Sequence, residues 1–402
     1  MYRVEQQDKD KKPIFFILCL FSLVIGSKLN FSIGVALKPY MVLMVVYIVL
    51  NLKSFVIYKP QFLEVILFTF YAIYSVTGIF SKYPALAMRG ILATIILFIL
   101  YFCMKDFLRK LSLNSIEYGI SVVGILFNIG SLLYYIMGML SVDNDFRGNN
   151  IDHFGIVLDR NMGRLIGLTN DPNLFAYFNL LFLCYYIMNT KILRNKIGLL
   201  LSISTILLTF SRGALITFLL LIVLSVILKE SRGKIRLVLG LIAIYAVVSL
   251  CINQYTGIVL EEMIIERFST FSEDRGSGRL DLWEQGLQLF KENPLLGIGS
   301  YNFSMYHFFL YGSQMYVHNT FLEVLSETGI LGTFFYALSI LLLLFEIIRL
   351  LMKNKKTAFL FLTLVGYLSM MFTLSLVLSE IFIFFLALFF RYYEELQEVN
   401  NA

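Results

Sequence analysis

The chain is poor in charge. Of 402 residues only 15% are Asp, Glu, Lys or Arg, while 58% are hydrophobic and the mean hydropathy is +0.78. Soluble domains carry about 25% charged residues, so this length predicts membrane-embedded material rather than two or three soluble domains. Cysteine is scarce too. Cys19, Cys103, Cys184 and Cys251 all fall inside apolar runs, and no C-x-x-C pair occurs. That excludes a disulfide framework and a zinc site as expectations. No G-x-x-x-x-G-K-[ST] sequence exists, the "GIG" of 297–299 reads as a turn after Pro294 rather than a dinucleotide loop, and neither an internal repeat nor a low-complexity tract is visible. The net charge of +6 reflects membrane topology, not nucleic-acid binding.

What the chain does have is long apolar runs. Roughly 20 apolar residues cross the hydrocarbon as a helix, and continuous runs rather than alternation select helices over a barrel. The sequence predicts an all-α polytopic membrane protein with about twelve spans, at 14–27, 36–52, 61–80, 86–104, 116–140, 172–190, 196–210, 213–228, 235–254, 329–351, 357–377 and 379–390. The basic start "MYRVEQQDKDKKP" has no small-x-small site after Gly26 and reads as an uncleaved first helix. With that end inside, 21 of the 33 Lys and Arg fall in inner segments, as the positive-inside rule expects. Residues 1–254 then hold nine spans and an outer segment 141–171. Residues 255–317 form a large outer loop, and 318–402 hold three spans and a cytoplasmic tail.

The polar material collects outside. His153, His307 and His318 are there, with 16 of the 27 acidic residues. "LDLWEQGLQLF" places Leu280, Trp283, Leu287 and Phe290 on one helical stripe, with Leu282 and Leu289 beside it. This predicts an amphipathic helix at the membrane interface, with Ser277 as its cap and Asp281 near its positive end. Residues 318–351 are too long for one simple span, at about 50 Å against a core near 30 Å. "HNTFLEVLSET" therefore reads as an outer piece, broken from the span at Gly329 and Gly332. Glu323 and Glu327 point away from His318 on a regular helix, so no His–Glu dyad is expected.

Several cations face this outer side. Arg212 sits in a hairpin between two apolar runs, where snorkelling to headgroups, a salt bridge or a ligand each fit. Arg89 lies just inside a span, and Arg147, Arg160 and Arg164 lie in 141–171. Guanidinium groups at headgroup depth suit a lipid-linked phosphate, which Arg grips with two parallel bonds. Arg279, at the start of the amphipathic helix, adds charge to free N–H groups. "DND" at 143–145 could hold a divalent metal but fits an ordinary helix-end turn better, and no metal or other cofactor is expected.

Four motifs occur in order: "RLIGLTNDPNLFA" (164–176), "TFSRGALI" (209–216), "SGRLDLWEQGLQLFKENPLLGIGSYNF" (277–303) and "HNTFLEVLSETGILG" (318–332). Together they resemble the O-antigen ligase/polymerase family of bacterial cell envelopes. The resemblance implies a glycosyltransferase-C-like membrane architecture in the inner membrane. It also implies an extracytoplasmic site that moves a glycan from undecaprenyl pyrophosphate to an acceptor sugar. It makes Arg212 and Arg279 the pyrophosphate-binding arginines and His318 the group that handles the acceptor hydroxyl. The "DPN" of 171–173, with Arg164, is a family landmark to which the resemblance assigns no role; Arg89, for which snorkelling is the favoured reading, Arg164, Asn173 and Asn319 are further candidate substrate contacts. Implied partners are the lipid-linked donor, a glycan or lipid A–core acceptor, and flippase and chain-length regulator proteins. Polymerase is the first expectation and ligase the alternative. A transporter of lipid-linked sugars is a rival of another class, disfavoured by the missing two-half repeat. The chemistry agrees. No nucleotide-sugar pool exists outside the cytoplasm, a leaving pyrophosphate gains negative charge that arginines can stabilise in place of a metal, and an imidazole of reference pKa about 6.5 can take a hydroxyl proton. Attack opposite the leaving group inverts the anomeric centre.

Overall fold

A computed structural model of the chain describes residues 13–32, 36–142, 146, 148, 151–160, 162–229, 231–256, 261–262, 265, 269 and 277–401. Asp143, Asn144, Asp145 and Arg147 lie outside the described residues. The helices are α1 Pro13–Val24, α2 Pro39–Asn51, α3 Phe62–Ile79, α4 Pro84–Arg109, α5 Leu113–Ser141, α6 Pro172–Met188, α7 Leu193–Leu208, α8 Arg212–Leu228, α9 Ser231–Thr256, α10 Arg279–Glu292, α11 Phe303–Tyr311, α12 Thr320–Lys353, α13 Ala358–Met371 and α14 Glu380–Asn401. Each of the twelve apolar segments read in the sequence overlaps one of these helices, most with different ends. Among the described residues, four helices are long and apolar enough to cross a membrane: α3, α4, α5 and α12. Shorter apolar helices are α1, α2, α6 and α8.

The fold is not purely helical. β1 (Phe31–Ser32) pairs with β2 (Ala36–Leu37), and β3 (Ile151–His153), β4 (Ile156–Asp159) and β5 (Met162–Leu165) form an antiparallel meander. The strands of the meander have three or four residues, too few for alternation to stand out in sequence. Its turns use positive φ at Phe154 (46°) and Arg160 (54°).

The chain packs as two compact units. The first comprises Met1–Tyr47, Phe107–Thr270 and Asn354–Tyr367. Here α5 packs on α1, α6 and α7, and α6 packs on α7 and α8. A polar ladder joins three of these helices: Asn128 and Asn179 exchange amide bonds of 3.0 Å, and Asn179 also donates to Thr205 Oγ1 at 3.1 Å. Such bonds between helices contribute about 0.6 kcal/mol each. The meander lies on the end of α5, with Val142, Ile156 and Leu158 in one small core. Gly138 and Gly155 permit that approach. A Cβ on Gly155 would stand 2.5 Å from the Tyr134 backbone, so no other residue fits.

The second unit comprises Ile48–Asp106, Phe271–Lys353 and Leu368–Ala402. Its frame is α12 packed along α3, with α10 and α11 against α12. As the sequence predicts, α12 breaks at Gly329 (φ 61°, ψ −160°). The break opens backbone groups that the 293–299 turn takes up. Ile330 N donates to Pro294 O at 2.8 Å, and Ile298 N and Gly299 N donate to the Ser326 and Glu327 carbonyls, each at 2.9 Å. The "GIG" segment is therefore a turn, with φ of 66° at Gly297 and 91° at Gly299.

Two local expectations are corrected. The residue capping α10 is Gly278 in the left-handed region (φ 75°), with no side-chain cap bond, and Ser277 stands one place earlier at φ 65°. The buried face of α10 is Leu282, Gln285, Gly286 and Leu289, while Leu280 and Leu287 are exposed. The face is set by a tertiary partner. Leu282 and Leu289 enter a core with Ile298, Phe303 and Val317, against which Trp283 packs from the side.

Candidate functional site

In the first unit the arginine hairpin is built by two capped helices. Ser211 opens α8, accepting from Ala214 N at 3.2 Å, and Arg212 is the first helical residue. Asp171 opens α6, accepting from Asn173 N at 2.7 Å and Leu174 N at 2.9 Å, with Pro172 next, where its missing N–H costs nothing. Ser211 Oγ donates to Asn173 Oδ1 and so ties the two helix starts together. Arg164, on β5, completes the arrangement: Nε donates to the Thr209 carbonyl at 3.0 Å and Nη1 to Asp159 Oδ2 at 2.9 Å. Burial pulls the Arg164 pKa below its ordinary value, while Asp159 and Asp171 oppose the shift. The structure thus brings Arg164, Asn173 and Arg212 to the N-termini of two helices. At these termini free helix N–H groups stand beside Arg212, while the carboxylates of Asp159 and Asp171 offset the charge of Arg164. The "DPN" landmark acquires a role as the cap and tie that set this geometry.

In the second unit Arg279 is the first residue of α10, with Asp281 in the same turn. His318 lies just before α12 and holds φ 51°. Its N–H donates to Ser375 Oγ at 3.1 Å. Asn319 caps α12, its Oδ1 accepting from Phe321 N at 3.0 Å and Leu322 N at 3.1 Å. Val317, adjacent to His318, shares the core of Leu282 and Leu289, so the histidine turn is seated on α10. Arg89 is exposed on α4, within electrostatic reach of Tyr316.

Sequence reasoning passed over Glu327 as a chemical group. It is 2% exposed and accepts from Tyr74 Oη at 3.0 Å, Tyr301 N at 2.9 Å and Phe303 N at 3.2 Å. It pins the 301–303 turn to α12, a role no spacing rule reveals. His307 pairs its Nδ1 with Gln285 Oε1 at 2.7 Å. A cavity of about 450 Å³ lies between α3 and the 293–299 turn, lined by Ile73, Val76, Phe80, Leu296 and Leu331 among others. Lys82, also on its lining, sits over the rings of Tyr83 and Tyr306 at 5.6 and 5.7 Å. The cavity is apolar with a cation on its wall, a pattern that suits amphiphiles.

Backbone strain marks the same places. Among the described non-glycine residues with positive φ, Phe210 (47°) precedes the Arg212 helix, Ser277 (65°) precedes Arg279, and Tyr301 (61°) and His318 (51°) complete the set in the second unit. Such conformations cost about 1–3 kcal/mol each and persist where the surroundings over-determine them, often at functional sites.

No curated protein matches the chain. The O-antigen ligase family model matches residues 197–337, a stretch that contains Arg212, Arg279 and His318. That segment, with both arginine helix starts and the histidine turn inside it, is similar to the O-antigen ligase family.

Proposed function

We propose that the protein is a glycosyltransferase of the bacterial inner membrane that moves a glycan from undecaprenyl pyrophosphate to an acceptor sugar at the extracytoplasmic face. Twelve spans with an outer loop at 255–317 are the topology this reading uses. The observation that carries it is the family-matched segment 197–337, in which Arg212, Arg279 and His318 each stand at a helix start or a strained turn.

The residues divide the work as follows. Arg212 and Arg279 hold the pyrophosphate oxygens and stabilise the charge that develops as the group leaves. The acceptor hydroxyl oxygen attacks the anomeric carbon from the opposite face. The bond from that carbon to the phosphate oxygen breaks, its electron pair departs with undecaprenyl pyrophosphate, and the hydroxyl proton passes to the His318 imidazole. The anomeric centre inverts. Arg164 and Asn173 act on Arg212 through the Thr209–Ser211 turn.

When the acceptor is another lipid-linked unit the product is a growing polymer. When it is lipid A–core the enzyme is a ligase, which is what the matched family's description names. Reconstitution with a lipid-linked repeat unit tests the reading. Long lipid-linked chains identify a polymerase, and products only on an added acceptor identify a ligase. Translocation with no new glycosidic bond overturns the proposal.

A further inference from the structure

The second unit holds a polar atom that its own fold leaves unsatisfied. Glu323 is 8% exposed, and its Oε2 has no hydrogen-bond partner. A buried carboxylate oxygen without a donor costs several kcal/mol in general, so such a group implies a ligand, a water or a proton. Its neighbour Glu327, one turn on, is in the opposite condition, with one hydroxyl and two backbone N–H groups donating to it. The two differ in purpose. Glu327 fixes a turn, and Glu323 is left open.

The surroundings of Glu323 are aromatic and hydroxylated. Its charge acts on the phenols of Tyr301 and Tyr316, and on Tyr74 beyond them. Burial, and then Glu323, push the Tyr316 hydroxyl above its ordinary pKa, so that phenol stays protonated as a donor at neutral pH. Tyr316 is half exposed, whereas Tyr301 holds φ 61° and its N–H donates to Glu327. Ser375, which faces Glu323, also accepts from the His318 backbone N–H. The open carboxyl group and the His318 turn therefore share one serine. Carboxyl oxygens that accept from vicinal hydroxyls, next to rings that can lie on a C–H face, are chemistry for a pyranose ring.

We propose that Glu323, Tyr301 and Tyr316 form a saccharide-binding subsite beside His318, with the Glu323 carboxyl accepting from a sugar hydroxyl. This rests on the glycan-transfer reading for its role, but not for its existence. The same hydroxyl chemistry could belong to the acceptor sugar or to the sugar on the lipid-linked donor.

The test uses the full chain in lipid nanodiscs. Saturation-transfer NMR with the methyl glycosides of glucose, galactose and N-acetylglucosamine measures sugar contact without needing turnover. Initial rates with a lipid-linked repeat unit, varying donor and acceptor separately, measure KM for each. Glu323→Gln keeps the size and replaces the carboxyl group by an amide. Tyr316→Ala alters an exposed ring and guards against a variant that fails to fold. Both variants should lose the saturation signal and raise one KM by about 10- to 100-fold, the range for leaving a buried hydrogen-bonding group without its partner. A rise for acceptor assigns the subsite to the acceptor sugar, and a rise for donor assigns it to the donor glycan. Saturation signals retained in both variants overturn the subsite, whether or not the wild type transfers glycan. A wild type that binds sugars through Glu323 but forms no glycosidic bond keeps the subsite and removes the proposed function.

Discussion

Replacing Arg164 with alanine removes a strut between the meander and the Arg212 hairpin. Two bonds go together: the one to Asp159, at 2.9 Å, and the one to the Thr209 carbonyl, at 3.0 Å. The side chain is 11% exposed and its partner Asp159 is 17% exposed. Removing one member of a buried ion pair costs about 3–5 kcal/mol, because the other charge is left without compensation. Water still reaches part of Asp159, so the lower end applies, about 3 kcal/mol. For a domain of 150–250 residues each kcal/mol moves the midpoint by about 2–4 °C, which gives a fall of about 6–12 °C. Arg164→Lys keeps the charge but loses the planar fork that reaches two acceptors, and should fall about halfway. The assay is thermal unfolding of the purified protein in detergent, followed by circular dichroism. Asp159→Asn supplies the second edge of a double-mutant cycle, whose coupling should be about 1 kcal/mol or more. Glycan transfer should decline in parallel, since the Thr209–Ser211 turn loses its anchor. A midpoint within about 2 °C of wild type, or zero coupling, would show that Arg164 does not position the hairpin.

The other expectations follow from single contacts. Asn173→Ala removes the tie to Ser211. It should cost about 1 kcal/mol of stability and reduce transfer more than a surface control, read by melting and by product gels. Gly329→Ala would place a Cβ 2.5 Å from the Leu295 backbone at φ 61°. This should prevent accumulation of folded protein in membranes, and normal accumulation would refute the requirement for glycine there. His307 has its pKa lowered by burial. A folded pKa below the unfolded one means stability is present above the unfolded value, about 6.5, and is lost as pH falls through the folded value. Acidification from pH 8 to pH 5 should therefore lower the midpoint of wild type more than that of His307→Gln. The effect should be small for a group only partly buried, and equal losses would show that burial does not lower the His307 pKa.

The helices were legible because lipid-facing helices are written as apolar runs, and no tertiary partner is needed to read them. The break at Gly329 was legible from length alone, since one helix from 318 to 351 overshoots a bilayer. The hairpin was partly legible. Arg212 between two greasy runs was an anomaly, but the tie of its neighbour Ser211 to Asn173 joins residues dozens of positions apart. The meander at 151–165 was hidden because strands of three or four residues carry no period. The buried face of α10 was misjudged because several stripes of that helix are apolar, and only Ile298, Phe303 and Val317 decide between them. Ser277 has the chemistry of a cap, yet the chain turns through Gly278. Glu323 and Glu327 look equivalent in sequence and differ only in who donates to them.

The account depends on glycosidic bond formation by Arg212, Arg279 and His318. The most direct measurement reconstitutes the purified protein in liposomes with a lipid-linked repeat unit, beside the Arg212→Ala, Arg279→Ala and His318→Ala variants. The account predicts new glycosidic bonds and released undecaprenyl pyrophosphate with the wild type, and neither with any of the three variants, all inserted normally. Lipid-linked sugar that crosses the bilayer unjoined, or variants that make products of normal length, would contradict it.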